Sequence, residues 1–260
     1  MMKKWLVLLL LAAVSASLAC EGVSATYATG SGRPQTRDFN LSGFTGVQAA
    51  AAFAVHIDRE DAFKVEVTAD DNLWDVLDIS VSSGTLHLQT KPGVSLTNSR
   101  LSASVTLPSL KLLDLSGGSQ ADAASFLSGD NLTATLSGGA SLTLANDNFG
   151  TAVFDISGSA KLAGKSAMTN ARFTVSGGGN INLSGSGGGL AIDASGGSQI
   201  TLDQYQVETA SLTMSGGSQA RIYSRNITLA DLSGGSRLYY VDSPVLGKIQ
   251  TSGGSSVAKE

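Results

Sequence analysis

The sequence predicts an all-β chain folded as a single-domain parallel β-solenoid, and three observations carry that prediction. Ser-Gly-(Gly or Ser) recurs periodically at Ser116, Ser137, Ser157, Ser176, Ser195, Ser215, Ser233 and Ser252, eight copies at intervals of 21, 20, 19, 19, 20, 18 and 19 residues. A fixed period near twenty marks a solenoid whose repeats cannot bury their apolar faces alone. Apolar and small residues alternate with polar ones on both sides of each tripeptide. The stretches Leu132/Ala134/Leu136 and Ala152/Phe154/Ile156 precede it, and Leu142/Leu144 and Ile200/Leu202 follow it. Alternation is the period of a strand with one buried face, and helical spacings are absent.

Each repeat therefore reads as two inward-facing arms joined by a glycine corner, where positive φ is allowed and no Cβ meets the next coil. Eight coils at strand spacing make a rod of roughly 40 Å. Parity puts the corner serines outside as a ladder, with rows of Thr, Asn and Gln beside it. Ser159 replaces the second glycine of the third copy, and Gly164 takes an inward position. Parallel crossovers of this kind are right-handed, so a right-handed β-helix of 19–20-residue coils is expected.

Residues 37–110 share the alternating style, in Phe53/Val55/Ile57, Phe63/Val65/Val67, Leu86/Leu88 and Leu101/Ala103/Val105/Leu107. They read as a β-rich cap on the open end of residues 111–258, with one helical turn opened by Asp70 and Asp71. Ahead of them, Lys3 and Lys4 precede an apolar run from Trp5 to Val14 and small residues up to Cys20, the only cysteine. That is an export signal over residues 1–19, too short to span a membrane. Ser17-Leu18-Ala19-Cys20 resembles a lipobox, which makes Cys20 the expected lipidation site and membrane anchor; plain secretion is the alternative. Residues 20–36, rich in Gly, Ser, Thr and Ala, read as a flexible tether.

A net charge of −4 with scattered Lys and Arg gives no basic stripe, so nucleic acid is not an expected partner. The motifs Phe44-Thr45-Gly46-Val47, Phe63-Lys64-Val65-Glu66-Val67, Asp70-Asp71-Asn72-Leu73 and Ser83-Gly84-Thr85-Leu86 resemble the opening of the head GIN domain. Gly179-Asn180-Ile181 and the closing Tyr239-Tyr240-Val241-Asp242-Ser243-Pro244 and Ser252-Gly253-Gly254 continue the likeness over residues 38–258. The resemblance implies an exported β-helix-like domain of adhesin type and supplies no catalytic residues.

The chemistry-bearing candidates are few. A nucleophilic serine needs an oriented base, and the two histidines, His56 and His87, face outward on strands outside the repeats. The acidic run at Asp70 lacks the spacing of a calcium loop. Ser184-Gly185-Ser186-Gly187-Gly188-Gly189 lacks the Lys-Ser/Thr end of a phosphate loop. No metal or cofactor is expected. Tyr205 and Tyr239, read as outward-facing, and the serines Ser116, Ser137, Ser195, Ser215 and Ser233 form the expected surface for contact with an envelope or surface glycan or protein. The expected function is a non-enzymatic binding or structural module of the cell envelope. The first alternative is a polysaccharide lyase or hydrolase using Asp155 and Asp193, which share a repeat position on coils two apart, about 10 Å. The second alternative is a self-assembling scaffold.

Overall fold

The computed structural model describes residues 26–260. The expected export signal over residues 1–19 and the expected lipidation at Cys20 lie outside the described residues. The first part of the fold contains β1 (Thr26–Thr29), β2 (Pro34–Phe39), β3 (Gly46–Ala49), β4 (Ala54–Arg59) and β5 (Lys64–Asp70). After a 3-10 turn at Trp74–Val76 come β6 (Leu77–Ser82), β7 (Thr85–Thr90), β8 (Val94–Thr97) and β9 (Leu101–Leu107). The repeats contribute β10 (Leu112–Leu115), β11 (Gln120–Ala124), β12 (Leu132–Leu136), β13 (Ser141–Ile156), β14 (Lys161–Val175) and β15 (Asn180–Ala194). They end with β16 (Gln199–Met214), β17 (Gln219–Leu232), β18 (Arg237–Tyr240), β19 (Val245–Thr251) and β20 (Ser256–Lys259). The result is a β-solenoid of about seven turns.

The alternation holds along the stack. Leu136, Ile156, Val175, Ala194, Met214 and Leu232 end the arms before successive corners, and all are buried. They stack in parallel register, as Leu136↔Ile156, Ile156↔Val175 and Val175↔Ala194 show. The arm after the corner stacks likewise, through Ala121↔Leu142, Leu162↔Ile181 and Ile181↔Ile200. Phe154 and Phe173, on adjacent coils, have ring centroids 5.2 Å apart in the core.

The corner itself is a tight turn in which the amide three residues on donates to the carbonyl of the first serine, as from Ser119 to Ser116 at 3.1 Å. The first glycine has positive φ in all eight copies, from 58° at Gly117 to 72° at Gly196. A Cβ on Gly158 would stand 2.8 Å from the Gly138 carbonyl oxygen, so both the left-handed backbone and the close coil spacing require glycine there. The second position has positive φ only at Gly118, Gly217, Gly235 and Gly254. Ser159 falls in a copy where that position is not left-handed, which is why it is tolerated.

Two features differ from the two-arm reading. Between the second arm and the next first arm the chain makes a bend and adds a short third segment, such as Asp147–Phe149, paired with Ser166–Met168. The inward residue after this bend falls ten places beyond the corner serine at Phe126, Asp147 and Tyr205, but nine places beyond it at Ser166 and Ser224. The longer repeats therefore carry their extra residue at the bend, and the parity inferred on one side does not carry to the other.

The cap contains a coil that its sequence disguises. Val47 pairs with Leu113 and Val55 with Ala121, so β3 and β4 stack directly on the first repeat. The residues joining them, Ala50 to Phe53, close the same turn, with the Phe53 amide donating to the Ala50 carbonyl at 3.2 Å. Ala51 and Ala52 occupy the glycine positions with φ of 55° and 62°. Beyond this coil lie β7 on β3 and β9 on β4, both parallel. Antiparallel strands close the end: β6 on β7, β5 on β9 and β2 on β5. This matches the expected cap against an open sheet edge.

Part of the segment expected as a tether is instead fixed in place. β1 pairs with β8 and β2 with β5. The acidic run at Asp70 to Asn72 holds this segment rather than capping a helix. The Ser31 hydroxyl donates to Asp71 at 2.5 Å, Arg33 pairs with Asp71 at 3.0 Å, and Asn72 donates to the Thr29 carbonyl at 2.9 Å. The Ser31 hydrogen bond, with help from Arg33, lowers the Asp71 carboxyl below its ordinary range. The fully buried Asp70 accepts from the Arg100 amide at 3.2 Å, and the 3-10 turn has no side-chain cap.

Candidate functional site

The sheet faces offer three polar arrangements, each set by the stacking register. The first surrounds Tyr239, the predicted aromatic contact residue, which is half-buried on an outward row of the last coils. The register Thr201↔Arg221↔Tyr239 puts a hydroxyl, a guanidinium and a phenol on successive strands, with Gln199↔Gln219↔Arg237 beside them. Arg221 is held by Glu260, whose Oε2 accepts from Nε at 3.0 Å, and lies 3.8 Å from Asp203. Gln199, Thr201, Gln219, Arg221, Tyr239 and Glu260 line a hollow of about 390 Å³. Amides, a fixed guanidinium and an aromatic ring around one hollow can hydrogen-bond and stack a polar ligand.

Tyr205 is a correction. It is fully buried, facing inward past the bend, and cannot serve as a surface contact. Its hydroxyl makes no hydrogen bond of standard geometry among the described residues, and burial pushes its pKa well up against a weaker pull from the Met168 backbone. The parity that placed it outside was lost where the chain turns.

The corner serines Ser116, Ser137, Ser195, Ser215 and Ser233 do form a ladder, all half-buried. The serines that hold the corners are the ones three residues later, which sequence reading passed over. Ser119, Ser198, Ser218 and Ser236 are fully buried. Their hydroxyls donate to the carbonyls of Ser116, Ser195, Ser215 and Ser233 at 2.8, 2.6, 2.7 and 2.8 Å. The signal was present as a small residue, Ser, Ala or Gly, at that place in every copy.

The second arrangement joins residues far apart in sequence. The Ser82 hydroxyl lies 2.8 Å from His87 Nε2, and His87 Nδ1 lies 2.6 Å from Gln48 Oε1. Gln48 Nε2 donates to Asp114 at 3.0 Å. The amide, oriented by the carboxylate, presents its oxygen to Nδ1, and in the tautomer protonated at Nδ1 the Nε2 atom can accept from the Ser82 hydroxyl. This is the connectivity of an oriented base and its hydroxyl. His56 instead meets Asp58 at 2.8 Å.

The third arrangement contains Asp155 and Asp193. The register Asp155↔Thr174↔Asp193 confirms that they share one outward row with a single threonine between them. Among the described residues no group of three or more His, Cys, Asp or Glu is arranged to hold a metal ion.

The family model described as "Putative auto-transporter adhesin, head GIN domain" matches residues 43–244. The chain belongs to the head GIN domain family. No curated protein matches it. Among solved structures, a putative adhesin from Parabacteroides merdae matches with TM-score 0.77 and 16% identity over 90% of this chain and 99% of that one. A putative adhesin from Parabacteroides distasonis matches with TM-score 0.79 and 16% identity over 90% and 100%. A putative lipid binding protein from the same species matches with TM-score 0.71 and 19% identity over 90% and 100%. These likenesses show a shared fold.

Proposed function

We propose that this head GIN domain protein is an adhesin-like binding module of the bacterial cell envelope, exported and tethered through lipid on Cys20, that contacts an envelope or surface glycan. The observation that supports it most is the Tyr239 hollow, where an aromatic ring, two glutamines and a fixed arginine converge. Solenoids present extended binding surfaces of this kind. The test incubates the chain from residue 20 onward with a panel of polysaccharides and peptidoglycan, reading co-sedimentation and new reducing ends together. Binding without release, weakened by Tyr239→Ala, is the expected result. Release of reducing ends would overturn the non-enzymatic reading.

A second reading rests on the Ser82–His87–Gln48–Asp114 chain, which fits a serine hydrolase acting on an acyl ester. An activated-ester substrate together with a serine-directed phosphonate tests it. Labelling of Ser82 that is lost in His87→Ala would favour this reading over the binding module.

A further inference from the structure

The row containing Asp155 and Asp193 extends through the solenoid with a period of its own. Successive strands pair Asp114↔Thr135, Thr135↔Asp155, Asp155↔Thr174, Thr174↔Asp193, Asp193↔Thr213 and Thr213↔Asp231. Aspartate and threonine thus alternate coil by coil across seven strands. Neighbouring carboxylates are two strand spacings apart, about 10 Å, too far to share one cation and evenly set along the axis. Asp155, Asp193 and Asp231 are exposed. Among the described residues none of the three takes part in an ion pair or a side-chain hydrogen bond with protein.

The surface beside the row is hollowed in the same direction. The adjacent outward row reads Arg172↔Ala191↔Ser211, and its small members leave a hollow of about 250 Å³ that also touches Thr151, Asn170, Gly189 and Thr209 on successive coils. The hollow therefore runs along the solenoid axis. Arg172, its one cation, sits in the Thr174 coil, out of phase with the carboxylates.

From this geometry we propose that the Asp–Thr row is a track for an extended β-1,4-linked amino-sugar chain lying along the solenoid axis. In its two-fold extended form such a chain turns each sugar over relative to the last. Amines on one side then recur every second sugar, a length close to two strand spacings, about 10 Å. Each ammonium would meet an unpaired aspartate, and hydroxyls of the intervening sugar would meet the threonine. The partner's charge and the spacing of that charge are both fixed by the row. The proposal extends the glycan reading above to a different face and a stated chemistry.

The probe is a set of glucosamine oligomers of two, four, six and eight units, titrated calorimetrically into the chain from residue 20 onward. Glucose oligomers of equal length and poly-L-lysine run in parallel. Affinity for the amino-sugar oligomers should rise with each added pair of sugars and exceed that for the glucose oligomers. Asp155→Asn with Asp193→Asn should weaken the six-unit oligomer roughly tenfold.

The deciding variant is Thr174→Asp with Asp193→Thr. It keeps the net charge and alters only exposed or half-buried outward positions, but moves one carboxylate by one coil. A loss similar to that of the double Asn variant supports the track. Three results would overturn it: unchanged affinity in the shifted variant, equal affinity for poly-L-lysine at matched charge, or loss only in Tyr239→Ala. The last would leave the hollow reading standing while the track fails. Thermal melts confirm that each variant is folded.

Discussion

The Tyr205 hydroxyl lies 3.0 Å from the point where a β-carbon on Gly187 would stand. A tyrosine buried in one coil thus explains a missing side chain in the coil above it. The same β-carbon would also fall 2.8 Å from the Met168 carbonyl oxygen, so Gly187 is closed in from both neighbouring coils. The run Gly185-Ser186-Gly187-Gly188-Gly189, which by eye suggests a phosphate loop, is thereby accounted for by packing. Gly187→Ala should destabilise the fold by about 1–3 kcal/mol through overpacking. Tyr205→Phe removes a buried hydroxyl that makes no hydrogen bond of standard geometry and should change stability by about 1 kcal/mol or less. Tyr205→Ala, leaving a cavity, should cost about 3–5 kcal/mol. Denaturant midpoints of the three variants check the set.

The disguised coil gives a prediction of opposite sign. Ala51 and Ala52 hold left-handed backbone, which disfavours any residue with a Cβ, while the matching positions Gly117 and Gly118 are glycine. Ala51→Gly and Ala52→Gly should each stabilise by about 0.5 kcal/mol, after the greater freedom of glycine in the unfolded chain is subtracted. Gly158→Ala at an equivalent corner should destabilise by about 2–4 kcal/mol, because backbone strain and a clash with Gly138 act together. Thermal melts would show the two directions side by side.

Corner serines separate into two kinds that a substitution series can tell apart. Ser198 and Ser218 are buried and hydrogen-bonded to the corner carbonyl. Replacing either with Ala should cost about 1 kcal/mol or less, since Ala140 and Ala160 already fill the same position elsewhere. Ser195→Ala and Ser215→Ala should leave the midpoint within about 0.5 kcal/mol of wild type. Equal losses in both groups would mean that the outer hydroxyls also hold the corner.

A pH dependence follows from Asp147. It is 2% exposed, and its two oxygens accept from the amides of Phe126 and Ala145 at 3.0 and 3.1 Å. Burial pushes its carboxyl up, against the pull of those two amides. The folded state therefore holds the proton more tightly than the unfolded chain. The associated stability is fully present below the ordinary carboxylate range and is lost as pH rises through the raised folded value. Asp147→Asn does not titrate, so the stability of wild type relative to this variant should fall as pH rises above the ordinary carboxylate range. Denaturant unfolding of both proteins at each pH measures it.

Much of the architecture could be read from the sequence because one face of each strand is buried. Leu142, Leu144, Ile200 and Leu202 alternate in sequence and are buried together in the structure. What escaped depends on contacts between coils or on local backbone geometry. Tyr205 was misplaced because a bend shifted the parity between Leu202 and itself. Ala50–Phe53 went unseen as a corner because alanines stand where glycine marks the others. The Ser82–His87–Gln48–Asp114 chain is assembled by β3, β6, β7 and β10, whose sequence separation conceals their adjacency. Asp155 and Asp193 were visible as a spaced pair, but the full row appears only once seven strands are laid in register.

The aspartate–threonine row also constrains how a protein of this kind can change length. Duplicating or deleting one coil within the row would place two like residues on neighbouring coils and reverse the order beyond the junction. Gain or loss of an adjacent pair leaves the order intact. If the row is under selection, its descendants should vary by even numbers of coils, although the core would accept either count. Genealogy would then register a surface that stability alone does not require.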